Sequence, residues 1–416
     1  MSHICLVSGA HSCRNPRVVK EANALSNAGY DVVVVRPVLS DALEQEDQAL
    51  TTDAVWETVH SVDLRVWMAG TVARLQGKAG TQLTAWGWER PEALGYGMHA
   101  TLRQARDLQA DLYIGHQEVG AWVVWRLMQE GYRVGADIED WYSRDLLPEA
   151  RSGRPLRLLH RIEGDLLRHA PHVTTTSHVM AEAMATVYRA PKPTVIYNAF
   201  PWNDREAIDG RYTDRDPADK RPSLHWVSQT IGPGRGLEDL CKALTQVNTP
   251  VQVHLRGQCR AAYREQLTQA FPEHKGHSLF LHALVPPAQL LSRIAEHDFG
   301  LALEDYTPPS RNLTVTNKIL HYLLGGLAVL ATDTAGQKEV ARAAPAAVVT
   351  FPADDPTAMA DALNRLLERP EAVPQARRAA RAAARDTFCW EQQAPTLVRS
   401  VRSSLAVPLV KGKLRQ

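Results

Sequence analysis

Residues 297–340, reading HDFGLALEDYTPPSRNLTVTNKILHYLLGGLAVLATDTAGQKEV, constrain the fold more than any other stretch of the chain. Phe299 to Leu303 is a short apolar run with the length of a buried strand, closed by Glu304, Asp305 and a Pro-containing loop. From Thr316 onward Ile319, Leu320, Leu323 and Leu324 recur at helical spacing, Gly325-Gly326 stops the helix, and Leu327 to Ala331 reads as a second buried strand. Strand, helix and strand in so short a span predict a βαβ unit in a parallel sheet. In such a unit the helix N-terminus, with its unpaired N–H groups, looks onto the crevice beyond the carboxyl ends of the strands, where anions bind.

The same rhythm runs through the rest of the chain. Ile4 to Ser8 reads as a strand, Gly9 to Asn15 as a loop, and a helix follows that Gly29 stops before a strand at Val32 to Val35. No G-x-G-x-x-G is present, which argues against a dinucleotide-binding dehydrogenase. Residues 40–100 are poorly patterned, first acidic and then rich in Gly and Trp. Trp67, Trp86 and Trp88 are read as partial core, the alternatives being stacking on an acceptor or insertion in a membrane surface. From Ala110 the pattern returns as a strand ending in His116, a helix, and a strand ending in Asp137, Glu139 and Asp140. RPLRLLHRIEGDLLRHAPH then gives a basic amphipathic helix, read as a solvated face in preference to one lying on anionic lipid.

With 416 residues the chain exceeds one ordinary core, and the polar, Pro- and Asp-rich segment 203–222 is the natural linker. The expected organisation is a domain over 1–202, the linker, a second domain over 223–385, and a closing helix over 386–402. The second domain opens with LHWVSQTIGPGRGLEDLCKAL, a strand, a Gly-rich loop and a helix. Glycines such as Gly234 and Gly236 let backbone N–H groups approach phosphate, and Arg235 between them can chelate two phosphate oxygens. Thr316, Asn317 and Lys318, opening the later helix, form the second candidate anion contact. Strands at Val251 to Arg256, Leu279 to Ala283 and Ala346 to Phe351 complete the α/β pattern.

Lys plus Arg at 47 against Asp plus Glu at 46 leaves a net charge of +1, so no global field recruits nucleic acid. The five cysteines, far apart and without C-x-x-C or Cys/His ligand spacing, fit reduced thiols and a cytoplasmic setting. No apolar run approaches ~18 residues, so the expectation is a soluble protein or a peripheral one at an inner membrane face.

The segment NKILHYLLGGLAVLAT resembles the donor-nucleotide stretch of GT-B glycosyltransferases, most closely the retaining enzymes of glycosyltransferase family 4. TVIYNAFPW, containing Asn198, is similar to the segment that closes their N-terminal domain, and DTFCWEQQAPTLVRSV to their final helix crossing back. The resemblance implies an α/β protein with two doubly wound Rossmann-like domains facing across a cleft, donor nucleotide in the second and acceptor in the first. It implies transfer of a hexosyl group, with retention, from a nucleotide-diphosphate sugar to a hydroxyl in glycan, polysaccharide or glycolipid synthesis, with no metal ion or further cofactor. On the same grounds the partners are the donor and a glycan or lipid-linked acceptor, and Arg17 opens the acceptor-side helix. His116 falls where the family carries a donor-contacting histidine and is placed at the reacting face of the sugar as a catalytic candidate, with Glu304 the second; a satisfied structural histidine is the other reading. Where the family has two glutamates eight positions apart, this chain has Leu313 and His321, so His321 is placed at the ribose and Glu304 in the vacated polar role. Gln229 stands where the first phosphate-binding Arg is expected. Two alternatives are a degenerate chain that binds without catalysis and a nucleotide-sugar 2-epimerase, which would need several acid and base groups around the sugar.

Overall fold

The computed structural model describes residues 1–408 and divides into two compact units, Met1–Ile196 with the chain from Ala394, and Tyr197–Gln393. The first unit holds β1 (His3–Ser8), β2 (Asp31–Val38), β3 (Glu57–Asp63), β4 (Leu112–His116), β5 (Val134–Ile138), β6 (His172–Thr175) and β7 (Thr194–Val195). They form one sheet in the order β3-β2-β1-β4-β5-β6-β7, parallel throughout. The second unit holds β8 (Ser223–Ile231), β9 (Gln252–Cys259), β10 (Ser278–His282), β11 (Phe299–Ala302), β12 (Ala328–Thr332) and β13 (Val348–Phe351). Their order is β10-β9-β8-β11-β12-β13, again parallel.

Both sheets are therefore Rossmann-like and doubly wound. The chain winds outward from the first strand, returns to its other side and winds away again, so the direction reverses at β1/β4 in one unit and β8/β11 in the other. A crevice opens beyond the carboxyl ends of the strands at each reversal. The apolar strand runs legible in the sequence exist because helices cover both faces of these sheets: Ile4, Leu6, Ile114, Leu301 and Leu330 are wholly buried.

Close approaches fix the helices that open at the reversals. A side chain at Gly120, in the Gln117–Gln129 helix, would stand 2.3 Å from the Val7 carbonyl oxygen of β1. In the second unit a Cβ at Gly300 would be 2.2 Å from the Tyr322 ring, and the Val227 N–H donates to the Tyr322 hydroxyl at 3.2 Å. The Asn317–Gly325 helix is thus seated on β8 and β11 by one buried tyrosine lying over one glycine, which sets where its N-terminus points.

Two regions differ from the sequence reading. Trp67, Trp86 and Trp88 are not partial core: 79 %, 70 % and 72 % of their surface is open. They flank the Trp67–Ala85 helix, whose inward face carries Gly70, Ala73, Gly80 and Thr84, so the large side chains point outward. Residues 203–222 are fastened to the second unit: Thr213 and Asp214 N–H groups donate to Glu296, Arg293 pairs with Asp209, and Arg215 with Asp298. The Trp390–Ala406 helix begins in the second unit and ends in the first.

Candidate functional site

At the β8/β11 reversal a pocket of about 90 Å³ is lined by Gly234, Arg235 and Gly236 from the glycine loop, Glu304 and Asp305 after β11, and Lys318 from the helix behind. Gly234 and Gly236 both have φ near +70° (68° and 74°), the left-handed backbone that glycine adopts without strain, and Gly236 caps the Leu237–Leu244 helix. At Gly236 a Cβ would also stand 2.8 Å from that of Leu303, so the loop lies tight against the end of β11. Two helix N-termini, those of Leu237–Leu244 and Asn317–Gly325, open beside the pocket.

Three cations line it. Arg235 is exposed and touches the protein through a 3.2 Å hydrogen bond to the Ser228 hydroxyl. Lys318 is largely enclosed: its ammonium donates to Glu304 Oε1 at 2.5 Å and lies 5.3 Å from the centre of the Trp226 ring. Arg311, in the turn after Pro309, is the third. Glu304 is held at its backbone as well, its N–H donating to Thr332 Oγ1 at 2.9 Å. The Thr316 hydroxyl, at the N-cap of the Asn317–Gly325 helix, is buried without a hydrogen-bond partner. On the far wall Asp354 adopts φ of 58°, a strained conformation for a residue with a side chain, and its carboxyl is raised from the ordinary range by burial and then by Asp305 and Asp239.

The structure thus brings Gly234, Arg235, Gly236, Glu304 and Lys318 together. Asn317 is exposed at the mouth of the same helix, and Gln229 is exposed near the end of β8 without lining the pocket. His321, one turn beyond Lys318, is stacked on Phe200 with ring centres 3.5 Å apart and planes 16° from parallel. It lies outside the pocket lining, its ring face spent on the phenylalanine. Arg311 and Asp354 were not singled out in the sequence. Arg311 had a signal, a lone cation between the strand and the helix N-terminus, whereas Asp354 enters from a strand further along.

His116 belongs to the other unit and ends β4 at the β1/β4 reversal. It is completely buried, Nε2 at 3.4 Å from Glu21 and Nδ1 at 3.4 Å from Asp137, distances of ion pairs without hydrogen-bond alignment. Asp137 accepts two hydrogen bonds from Arg17, at 2.5 and 2.7 Å, and Arg17 stands 3.3 Å from Glu21. Burial works against the imidazolium, yet Glu21 and Asp137 outweigh it and push the histidine up to about 10. Two cations and two carboxylates therefore close a buried cluster, beside which the Glu139 carboxyl is raised to about 6 by burial and then by Asp137, and His116 presents no surface to a ligand. The residue after it, Gln117, has φ of 59°, so the chain leaves β4 through a left-handed residue.

A second cluster pins the Gly9–Asn15 loop. Ser12 and Cys13 N–H groups donate to Asp47, and His11 Nε2 accepts from the Leu39 N–H, which leaves Nδ1 to donate to Asp47 at 2.8 Å. Arg36 pairs with both Glu44 and Asp47. The triads Glu21/His116/Asp137 and His11/Glu44/Asp47 have ligand types suited to a metal ion. In each an arginine already supplies the positive charge.

Comparison with known proteins places this architecture. Residues 15–199 match the model of the glycosyl transferase 4-like domain and residues 221–369 that of the glycosyl transferases group 1, and the chain belongs to the GT-B glycosyltransferases built from these two domains. Among solved structures, sucrose-phosphate synthase from Thermosynechococcus elongatus has a TM-score of 0.69 at 16 % identity, over 98 % of this chain and 100 % of that one. HepE from Anabaena, solved with UDP and glucose, has a TM-score of 0.64 at 15 % identity, over 98 % and 100 %. A protein described as a putative UDP-N-acetylglucosamine 2-epimerase from Listeria monocytogenes has 0.61 at 12 %, over 97 % and 96 %. At these identities the likeness is one of fold. No curated protein matches the sequence.

Proposed function

We propose that this glycosyltransferase takes a nucleoside-diphosphate sugar as donor, seats its diphosphate in the β8/β11 pocket and transfers the sugar, with retention, to a hydroxyl of a growing glycan or glycolipid. The observation that carries the reading is the meeting of the Gly234–Gly236 loop, Arg235, Lys318 and the Asn317–Gly325 helix N-terminus around one polar pocket. Departure of a nucleoside diphosphate leaves negative charge on the phosphates, and fixed cations and N–H groups aimed at that charge lower the barrier without reorganising. In this reading Arg235 forks onto the phosphate oxygens. Lys318 exchanges part of its pairing with Glu304 for the donor, which frees a Glu304 oxygen to accept from a sugar hydroxyl. The unpartnered Thr316 hydroxyl has a donor to offer at the same helix end. No step is assigned to a metal ion.

HepE is described with UDP and with UDP-glucose, which makes uridine the first base to test. A melting screen against UDP, GDP, ADP and their sugars identifies the ligand, since a compound that binds only the folded state raises its melting temperature. Release of the free nucleotide dependent on an added acceptor then separates transfer from binding alone. Absence of any stabilising nucleotide would overturn the assignment of this pocket. Conversion of a bound nucleotide sugar to its epimer without acceptor would replace transfer by isomerisation.

A further inference from the structure

We propose that the Trp67–Ala85 helix is a docking surface for an anionic lipid bilayer, which it meets lying flat with its three flanking tryptophans at the interface. The orientation of this helix is locked. A Cβ at Gly70 would stand 2.3 Å from the Leu64 carbonyl oxygen, and one at Gly80 would be 2.9 Å from the Ala93 nitrogen. Only the glycine face can press so closely on neighbouring backbone, so the opposite face is turned outward by the fold itself. That outward face carries Met68, Val72 and Leu75 at the spacing of one helical stripe, open to 70 %, 52 % and 62 %. Trp67 begins it, and Trp86 and Trp88 follow its end. The pattern inverts that of an ordinary surface helix, where large apolar side chains face the core. Scattered exposed apolar residues need no explanation, but a contiguous row of this size marks a contact.

Charge selects the occupant. From Val66 to Trp88 the chain has no Asp or Glu; Lys78 is exposed, while the Arg74 guanidinium turns back to donate to the Leu64 carbonyl at 3.2 Å. The Leu156–His169 helix starts at the tryptophan end, where Glu89 accepts from the Arg157 and Leu158 N–H groups and also pairs with the Arg157 guanidinium at 3.3 Å, which donates in turn to the Gly87 carbonyl. Glu89 is engaged by that helix end and Glu92 by His99. A row of apolar residues with exposed Lys78 and no carboxylate in its own segment fits phospholipid headgroups over acyl chains, with tryptophan at the boundary. No described helix is long and apolar enough to cross a membrane, so the contact is with one leaflet. This inference rests on the N-terminal unit and stands independently of the donor pocket.

The test is co-sedimentation of the full chain with vesicles of phosphatidylglycerol and phosphatidylcholine, compared with pure phosphatidylcholine. Binding is expected on the anionic vesicles, with a blue shift of tryptophan emission, and it should weaken as salt is raised. Trp67→Ser with Trp86→Ser and Trp88→Ser should reduce partitioning at least about tenfold. Lys78→Gln should reduce it about fivefold. These side chains are open to solvent, so melting temperature and nucleotide binding should stay unchanged. Failure of the parent to bind anionic vesicles overturns the proposal. Equal binding to pure phosphatidylcholine overturns its electrostatic part, and a concentration-dependent dimer abolished by the tryptophan substitutions assigns the face to a second copy of the chain.

Discussion

The two units share one strand order and reach the same topological reversal, but they fill it differently. At β1/β4 the crevice floor is closed by Arg17, Glu21, His116 and Asp137, all completely buried and compensating one another. At β8/β11 the corresponding place is an open pocket whose arginine meets solvent and whose helix end holds an unpartnered hydroxyl. Fold alone therefore does not make a ligand site, since the same topology supplies a buried keystone in one half and, on the function proposed above, a receptor in the other. The difference has a measurable form: substitutions in the first should act on stability, and substitutions in the second on binding.

The largest effect expected comes from pH, because the second unit gathers four histidines whose pKa burial lowers, whereas the first sets a raised His116 against a single fully buried His172 that burial lowers to about 4. In the second unit His225, His254, His282 and His297 stack together, His225 lying 4.7 Å from His297 and His254 5.3 Å from His282. Burial, reinforced by the neighbouring cationic groups, lowers all four, His254 to about 3 and His225 and His297 well below the ordinary value. They are neutral when folded and take protons when unfolded, so the stability they permit is present above ~6.5 and is lost as pH falls below it. Each strongly lowered histidine steepens the loss by ~1.4 kcal/mol per pH unit, and the second unit should unfold first in acid. His116 is the mirror case. Raised to about 10, its contribution is complete below ~6.5 and is lost as pH rises through 10, so the first unit should weaken first in alkali. Circular dichroism and tryptophan emission from pH 4 to 10.5, with His254→Gln and His297→Gln as controls, check both limbs. A single acid transition untouched by either substitution would remove the histidine stack as its cause.

Next in size is Arg17→Met, which strands Asp137 and Glu21 with one remaining buried cation. Breaking a buried pair in this way costs ~3–5 kcal/mol, and denaturant unfolding should show it in the first unit while nucleotide affinity is retained. Arg235→Ala should behave in the opposite way. An exposed side chain with one weak hydrogen bond contributes little to folding, whereas a charge-assisted bond to phosphate is worth ~1.5–3 kcal/mol. Calorimetry should find nucleoside-diphosphate binding weakened by that amount with the melting temperature unmoved. Equal loss of stability in both variants would erase the distinction between keystone and receptor.

This contrast was only half legible in the sequence. The parts of the proposed receptor are legible because they are contiguous: the glycine loop follows β8 directly, and Lys318 opens the helix of the most strongly patterned stretch. Strand positions there were foreseeable since parallel strands buried on both faces leave unbroken apolar runs; the expected Phe299 to Leu303 is observed at Phe299–Ala302. The keystone could not be read, because Arg17 meets Asp137 across 120 positions and nothing local to either residue announces the other. His116 looked like a ligand for the same reason, its position at a strand's carboxyl end being visible and its two carboxylate neighbours not. Residues 40–100 defeated periodicity because the Trp67–Ala85 helix packs through glycine and alanine, and because Glu44 and Asp47, polar in sequence, are buried beneath Arg36 and His11. The histidine stack unites three strands and a loop, each of which contributes one residue with no marker of its own.

The smallest effect separates two roles for His321. Its position in HYLLGG suggests the ribose, but the ring is stacked on Phe200 at 3.5 Å, an arrangement that contributes ~0.5–1.5 kcal/mol beyond simple burial. Substitution to alanine removes the stack and any ribose contact together, so it cannot by itself tell them apart; substitution to phenylalanine can. His321→Phe keeps a ring on Phe200 and removes both ring nitrogens, the only groups able to hydrogen-bond a hydroxyl. With a packing role alone, His321→Ala should lower stability by that fraction of a kcal/mol to 1.5 kcal/mol, His321→Phe should restore it, and nucleotide affinity should be the same in all three proteins. With a ribose role, His321→Phe should keep the stability and lose affinity. The first outcome would confine the receptor to the glycine loop, Lys318 and their neighbours; the second would extend it one helical turn further along the Asn317–Gly325 helix.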